Sequence, residues 1–121
     1  MLTVGTVVLG VDDMERAVAF WSAALGYVRR DDATDFVVLV PEGGAGTRVA
    51  FQRSSVPVQE VPRVHLDLYA GDAADQAAEI ERLVGLGARR VEWPHYPADP
   101  DFVVLADPEG NRFCVIDTAH G

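Results

Sequence analysis

A single cysteine, Cys114, rules out an intramolecular disulfide and fits a reducing compartment, so the cytoplasm is the expected location. Positive charge is scarce. Ten Lys and Arg residues stand against 19 Asp and Glu, for a formal charge of −9 and a pI near 4.5. Such a surface repels phosphate backbones and anionic headgroups, and no basic run of the kind that grips phosphate interrupts it. The expectation is therefore no nucleic acid and no membrane among the partners. The carboxylates are dispersed rather than gathered into a tail, a pattern that serves solubility. The chain also lacks a bilayer-length apolar run: Met1 to Val11 is apolar but short, has no basic residues ahead of it and leads directly into a capped helix. It reads as a strand. The Gly-rich stretch 43–46 has neither a following Lys-Ser/Thr pair nor a helix opening behind it, so it reads as a hairpin turn rather than a phosphate cradle.

What the chain does have is a repeat. Thr6 to Asp13 is a strand-like run opening an amphipathic helix that ends at Leu25-Gly26, and His65 to Asp72 opens another that ends at Leu86-Gly87. Thr6 and His65 hold equivalent places, each seven residues before a capping Asp13 or Asp72. Met14, Ala17, Val18, Trp21, Ala24 and Leu25 fall on one helical face, as do Ala73, Ala77, Ile80, Leu83 and Val84 in the second copy. Asp12 and Glu15 have capping-box spacing, and Gly26 takes the position where a left-handed residue is least costly. Trp21 and Phe20 are expected in the core. Each helix is followed by three strand-like stretches: Tyr27–Arg30, Phe36–Val40 and Arg48–Arg53, then Arg89–Trp93, Phe102–Ala106 and Arg112–Asp117. Pro41 to Gly46 and Asp107-Pro-Glu-Gly-Asn111 are the matching turns, and Ser54 to Pro62 reads as an extended connector.

Asp13-Met-Glu-Arg-Ala-Val-Ala-Phe-Trp21, Leu25-Gly-Tyr27, His65-Leu-Asp-Leu68 and above all Asp107-Pro-Glu-Gly-Asn-Arg-Phe-Cys-Val115 resemble the vicinal oxygen chelate (VOC) superfamily, the group of glyoxalases, bleomycin-resistance proteins and ring-cleaving dioxygenases. The resemblance covers essentially the whole chain. It implies an α+β fold of two tandem βαβββ modules forming a half-open curved mixed sheet, with module one at about 1–54, a linker at about 55–61 and module two at about 62–118. Alternation across a strand then puts His65, Asp67 and Tyr69 on one face and Leu66 and Leu68 on the other; by the same parity Thr6, Val8 and Gly10 line the concave face from module one.

Metal-dependent relatives hold a divalent ion with one residue near the start of each module's first strand and one on each module's last strand, where it acts as a Lewis acid. The resemblance carries those places onto Thr6, His65, Cys114 and one of Ala50, Phe51 or Gln52. Only His65 is a good ligand for the hard ions such sites use, so no metal and no other cofactor is expected, with His65 the best candidate should one bind. His65 and Cys114 invite two further readings: a reactive imidazole–thiol pair or soft-ion site, and a hydrogen-bonded histidine beside a cysteine packed as a small hydrophobe. Asp67 orients His65, contacts a ligand, or belongs to a satisfied polar network. His95 sits in a proline-bounded aromatic loop suited to a pocket rim, and His120 at an end expected to fray. The expected ligand-binding set is Thr6, Gln52, His65, Asp67, Tyr69, Phe102 and Cys114. The leading reading is a protein that binds a small organic molecule without metal chemistry; the alternative is a metal-dependent or His-assisted lyase, isomerase or dioxygenase. Open sheet edges and the resemblance both point to a homodimer.

Overall fold

A computed structural model describes residues 1–121, which divide into two compact units, Met1–Pro57 and Val58–Gly121. The first unit runs β1 (Thr6–Val11), α1 (Met14–Leu25), β2 (Val28–Arg29), β3 (Phe36–Val40) and β4 (Arg48–Arg53). The second repeats the order with β5 (Leu66–Ala70), α2 (Ala73–Leu86), β6 (Arg89–Arg90), β7 (Phe102–Ala106) and β8 (Arg112–Asp117). Each unit is thus βαβββ, and the class is α+β. The first sheet is ordered β1-β4-β3-β2 and the second β5-β8-β7-β6, mixed in both cases and closed in neither. Within each unit the last strand lies parallel to the first and antiparallel to its other neighbour, because the helix carries the chain over the sheet before two hairpin turns bring it back.

The pattern of apolar residues dictates which face each helix covers. Met14, Ala17, Val18 and Trp21 of α1 are buried, together with Val37 and Leu39 of β3 and Val49 and Phe51 of β4, which share a face by register. Phe20 packs edge-on against Trp21, with ring centroids 5.1 Å apart. Helix α1 starts at Asp13, whose carboxylate accepts from the Arg16 amide at 3.1 Å, and stops at Gly26 with φ of 69°. The helix starts one residue later than the Asp12–Glu15 spacing implies. Asp13 is the N-cap, and the Glu15 carboxylate instead receives Arg29 from β2 at 3.0 Å.

Helix α2 departs further from expectation. Ala73, Ala77 and Val84 are exposed, and only Ile80 and Leu83 are buried. The packed face runs through Gln76 instead, whose amide donates to the backbone carbonyls of Val115 at 2.9 Å and Asp101 at 3.2 Å. A polar residue holds the seam because it satisfies carbonyls that the helix would otherwise cover. Strands β2 and β6 are also shorter than the strand-like stretches Tyr27–Arg30 and Arg89–Trp93, two residues each. After Arg90 the chain leaves the ladder toward Pro94, which has no N–H to donate. The Asp107–Asn111 turn is held from within: buried Asp107 accepts from the amides of Glu109 and Asn111 at 2.9 Å, and Gly110 takes φ of 92°.

Candidate functional site

Register fixes what the second unit presents on the sheet face away from α2. Asp67 lies beside Cys114, which lies beside Val104; one row along, Tyr69, Ile116 and Phe102 align. His65 immediately precedes β5 and, continuing the same register, sits level with Arg112. These rows floor a cavity of about 730 Å³ lined entirely by second-unit residues. One wall is the segment between β6 and β7. Trp93 and His95 meet edge-to-face at 5.4 Å, and Tyr96 anchors the segment by packing at a tilt against Phe102, ring centroids 5.2 Å apart, while its hydroxyl accepts from the Val104 amide at 2.8 Å. The C-terminal stretch forms another wall. Thr118 donates its hydroxyl to the Ala70 carbonyl at 2.6 Å, and His120 Nε2 pairs with Asp99 at 3.1 Å. His120 is thus tied down and lines the cavity rather than fraying.

At the floor, His65 Nε2 lies 3.0 Å from Asp67 Oδ1, with both side chains nearly half exposed. Cys114 is only 7% exposed. Burial first, then the Asp67 charge and a hydrogen bond to that carboxylate, push its thiol up to about 11 from an ordinary 9.0. Such a thiol stays protonated at neutral pH and is a poor nucleophile, so the imidazole–thiol pair is not an activated one. The donor atoms of His65, Asp67 and Cys114 all lie within 4.8 Å of one another.

Five of the seven sequence-derived site residues, His65, Asp67, Tyr69, Phe102 and Cys114, line this one cavity. Thr6 and Gln52 do not. They stand on the first unit's sheet, both exposed. The same register that pairs Asp67 with Cys114 pairs Val8 with Ala50, so Ala50 is the equivalent of Cys114 and Gln52 that of Ile116. Neither Thr6 nor buried Ala50 supplies the imidazole or carboxylate of a four-ligand centre. The residues do not fit that four-ligand metal site. Arg112, Trp93, Asp101 and Asp117 also line the cavity without a sequence signal having marked them as site residues, and His120, expected to fray, joins them. Arg112 was within reach of sequence reasoning, because it stands two residues before Cys114 on one strand and so shares its face.

Residues 6–116 match the family model of the glyoxalase-like domain. Among solved structures, a protein of Agrobacterium tumefaciens superposes with a TM-score of 0.77 at 18% identity, covering 98% of this chain and 99% of the other. A glyoxalase/bleomycin resistance protein/dioxygenase family enzyme from Burkholderia phytofirmans gives 0.74 at 15% identity, over 94% and 97% of the two chains. A glyoxalase-related enzyme from Fulvimarina pelagi gives 0.72 at 18%, over 96% and 88%. At these identities the likeness is one of fold. No curated protein sequence matches significantly.

Proposed function

The chain belongs to the glyoxalase-like domain family, within the VOC superfamily, and from that premise we propose that it binds a small organic molecule in the second unit's cavity. The observation that carries the reading is the cavity itself. Its 730 Å³ falls inside the roughly 300–1,000 Å³ typical of small-molecule sites, and it combines aromatic walls with a few convergent polar groups. Tyr69, 79% exposed, and the half-buried rings of Trp93 and Phe102 offer flat surfaces for an aromatic or conjugated ligand. His65, Asp67 and Arg112 offer hydrogen bonds that fix its orientation. Sequestration of a toxic compound, as in resistance proteins, is one use such a site serves.

A thermal-shift screen of aromatic and peptide antibiotics, run with a chelator present, tests this. A ligand at 100 times its Kd stabilises the fold by roughly 3 kcal/mol, and Tyr69→Ala or Phe102→Ala is expected to remove most of that gain. Equal stabilisation of wild type and both variants would place the ligand elsewhere and overturn the reading. A second reading, a His-assisted lyase or isomerase, is favoured by the 3.0 Å His65–Asp67 contact. An Nε2–H given to the carboxylate leaves Nδ1 as the basic nitrogen. Turnover that survives His65→Ala would dismiss it.

We also infer a homodimer. The edge strands β1, β2, β5 and β6 leave backbone groups unpaired, and Val8 and Phe36 expose apolar surface on the first unit's sheet. Light scattering at the mass of one chain would refute this. The single thiol suits a reducing compartment.

A further inference from the structure

Once the second unit's cavity is read as an organic-ligand site, a reading on which this inference rests, its charges define the ligand further. Most of them are already matched. His65 Nε2 meets Asp67 at 3.0 Å, and His120 lies between Asp99 at 3.1 Å and Asp117 at 4.0 Å. Two charged groups of the lining have no ion partner, and they are of opposite sign: Arg112 and Asp101. The Arg112 guanidinium gives Nη1 to the Gly110 carbonyl at 2.7 Å, and its Nε is buried without an acceptor. Asp101 is exposed, and only its backbone carbonyl is engaged, by the Asp117 amide at 2.7 Å and the Gln76 side chain at 3.2 Å.

The two stand at opposite ends of the floor. Arg112 opens β8, and Asp101 lies beside Asp117, where that strand ends. From 112 to 117, at about 3.3 Å per residue, the rows are roughly 16 Å apart. Between them lie Cys114 with Val104, then Ile116 with Tyr69 and Phe102. We propose that the cavity takes an elongated aromatic zwitterion, of which a short peptide with free termini is the simplest form, its carboxylate at Arg112 and its ammonium at Asp101. A guanidinium with one edge uncommitted takes a carboxylate through two parallel bonds. An ammonium brings three donors to Asp101, and the formal charge of −9 draws it in. A ligand with a single charge would leave the opposite end of the trough unmatched. A tetrapeptide spans at most about 13–14 Å, and the two side chains cover the remainder.

Calorimetric titration with the tetrapeptide Gly-Phe-Phe-Gly tests this in four forms: both termini free, N-acetylated, C-amidated, and blocked at both. Each block is expected to weaken binding by about tenfold or more, the loss of one charge-assisted bond. Arg112→Gln is expected to abolish the penalty for amidation and keep that for acetylation; Asp101→Asn is expected to do the reverse. Circular dichroism checks both folds, and because Asp101 is exposed its arm decides the matter even where Arg112→Gln unfolds. No binding of the free peptide at millimolar concentration, or penalties that the folded variants leave unchanged, would overturn the zwitterion. Equal binding of the free and doubly blocked peptides, abolished by Tyr69→Ala, would overturn it while leaving the organic-ligand reading standing.

Discussion

Alkylation of Cys114 offers a direct measure of how the cavity floor sets the chemistry of its groups. The thiol is pushed up to about 11 from 9.0 by burial, by the negative charge of Asp67 and by a hydrogen bond to that carboxylate. At neutral pH this makes the thiolate about 100-fold scarcer than in an ordinary cysteine. Higher basicity returns part of that, since thiolate nucleophilicity rises with pKa with a slope near 0.5, about tenfold here. The folded protein is therefore expected to react with iodoacetamide about tenfold more slowly than the unfolded chain, before any steric hindrance. The assay is the rate of mass addition in chelator, followed from pH 7 upward in native protein and in denaturant. Asp67→Asn removes the charge while leaving the burial, so its pH–rate midpoint should fall between the unfolded and wild-type values. A native midpoint near that of the denatured protein would refute the reasoning, and a midpoint unmoved by Asp67→Asn would refute the part assigned to the carboxylate.

Other consequences are equally specific. Because the folded state keeps the Cys114 proton above pH 9 while the unfolded chain loses it, stability should fall as pH rises from 9 to 11, by at most roughly 2–3 kcal/mol, and Cys114→Ala should flatten that segment of the urea-melt profile. Trp21→Ala, at a site 1% exposed, should cost about 3–5 kcal/mol by denaturant melt. Gly87→Ala should cost about 1–3 kcal/mol, since φ is 123° and a Cβ would stand 3.3 Å from the Pro108 ring; a melting temperature within a degree of wild type would contradict this. Asp107→Ala should cost more, about 2–6 kcal/mol in all at about 1–3 kcal/mol for each of the two amide bonds it removes, read in the same melts.

Much of the architecture was legible because two copies of the same signals constrain each other. Strands β3, β4, β7 and β8 occupy the stretches that alternation and flanking turns mark out, and both helices end at their glycines. The face of α2 was not legible, because alanines at helical spacing suit an exposed surface as well as a core, and nothing local marks Gln76 as the residue that meets β8. The site divides in the same way. Parity along β5 is a local property, so His65, Asp67 and Tyr69 could be placed on one face from the sequence, whereas Cys114 was brought to them only by the family resemblance, because the pairing of β5 with β8 is long-range. Asp101, Asp117 and His120 join them through the loop before β7 and the C-terminal stretch, whose paths depend on contacts such as Tyr96 with Phe102 that no periodicity encodes. The first-unit positions illustrate the limit of the repeat: Thr6 and Ala50 match His65 and Cys114 in register and not in chemistry.

The aromatic wall hangs on the sheet through the Tyr96 hydroxyl, which takes the Val104 amide proton that a neighbouring strand would ordinarily receive. That makes one backbone N–H a clock for the movement of the wall. In hydrogen–deuterium exchange the Val104 amide should trade its proton each time the segment swings out, faster than the amides bonded within β7 and β8, and a molecule lodged against Phe102 should slow it while leaving those neighbours unchanged.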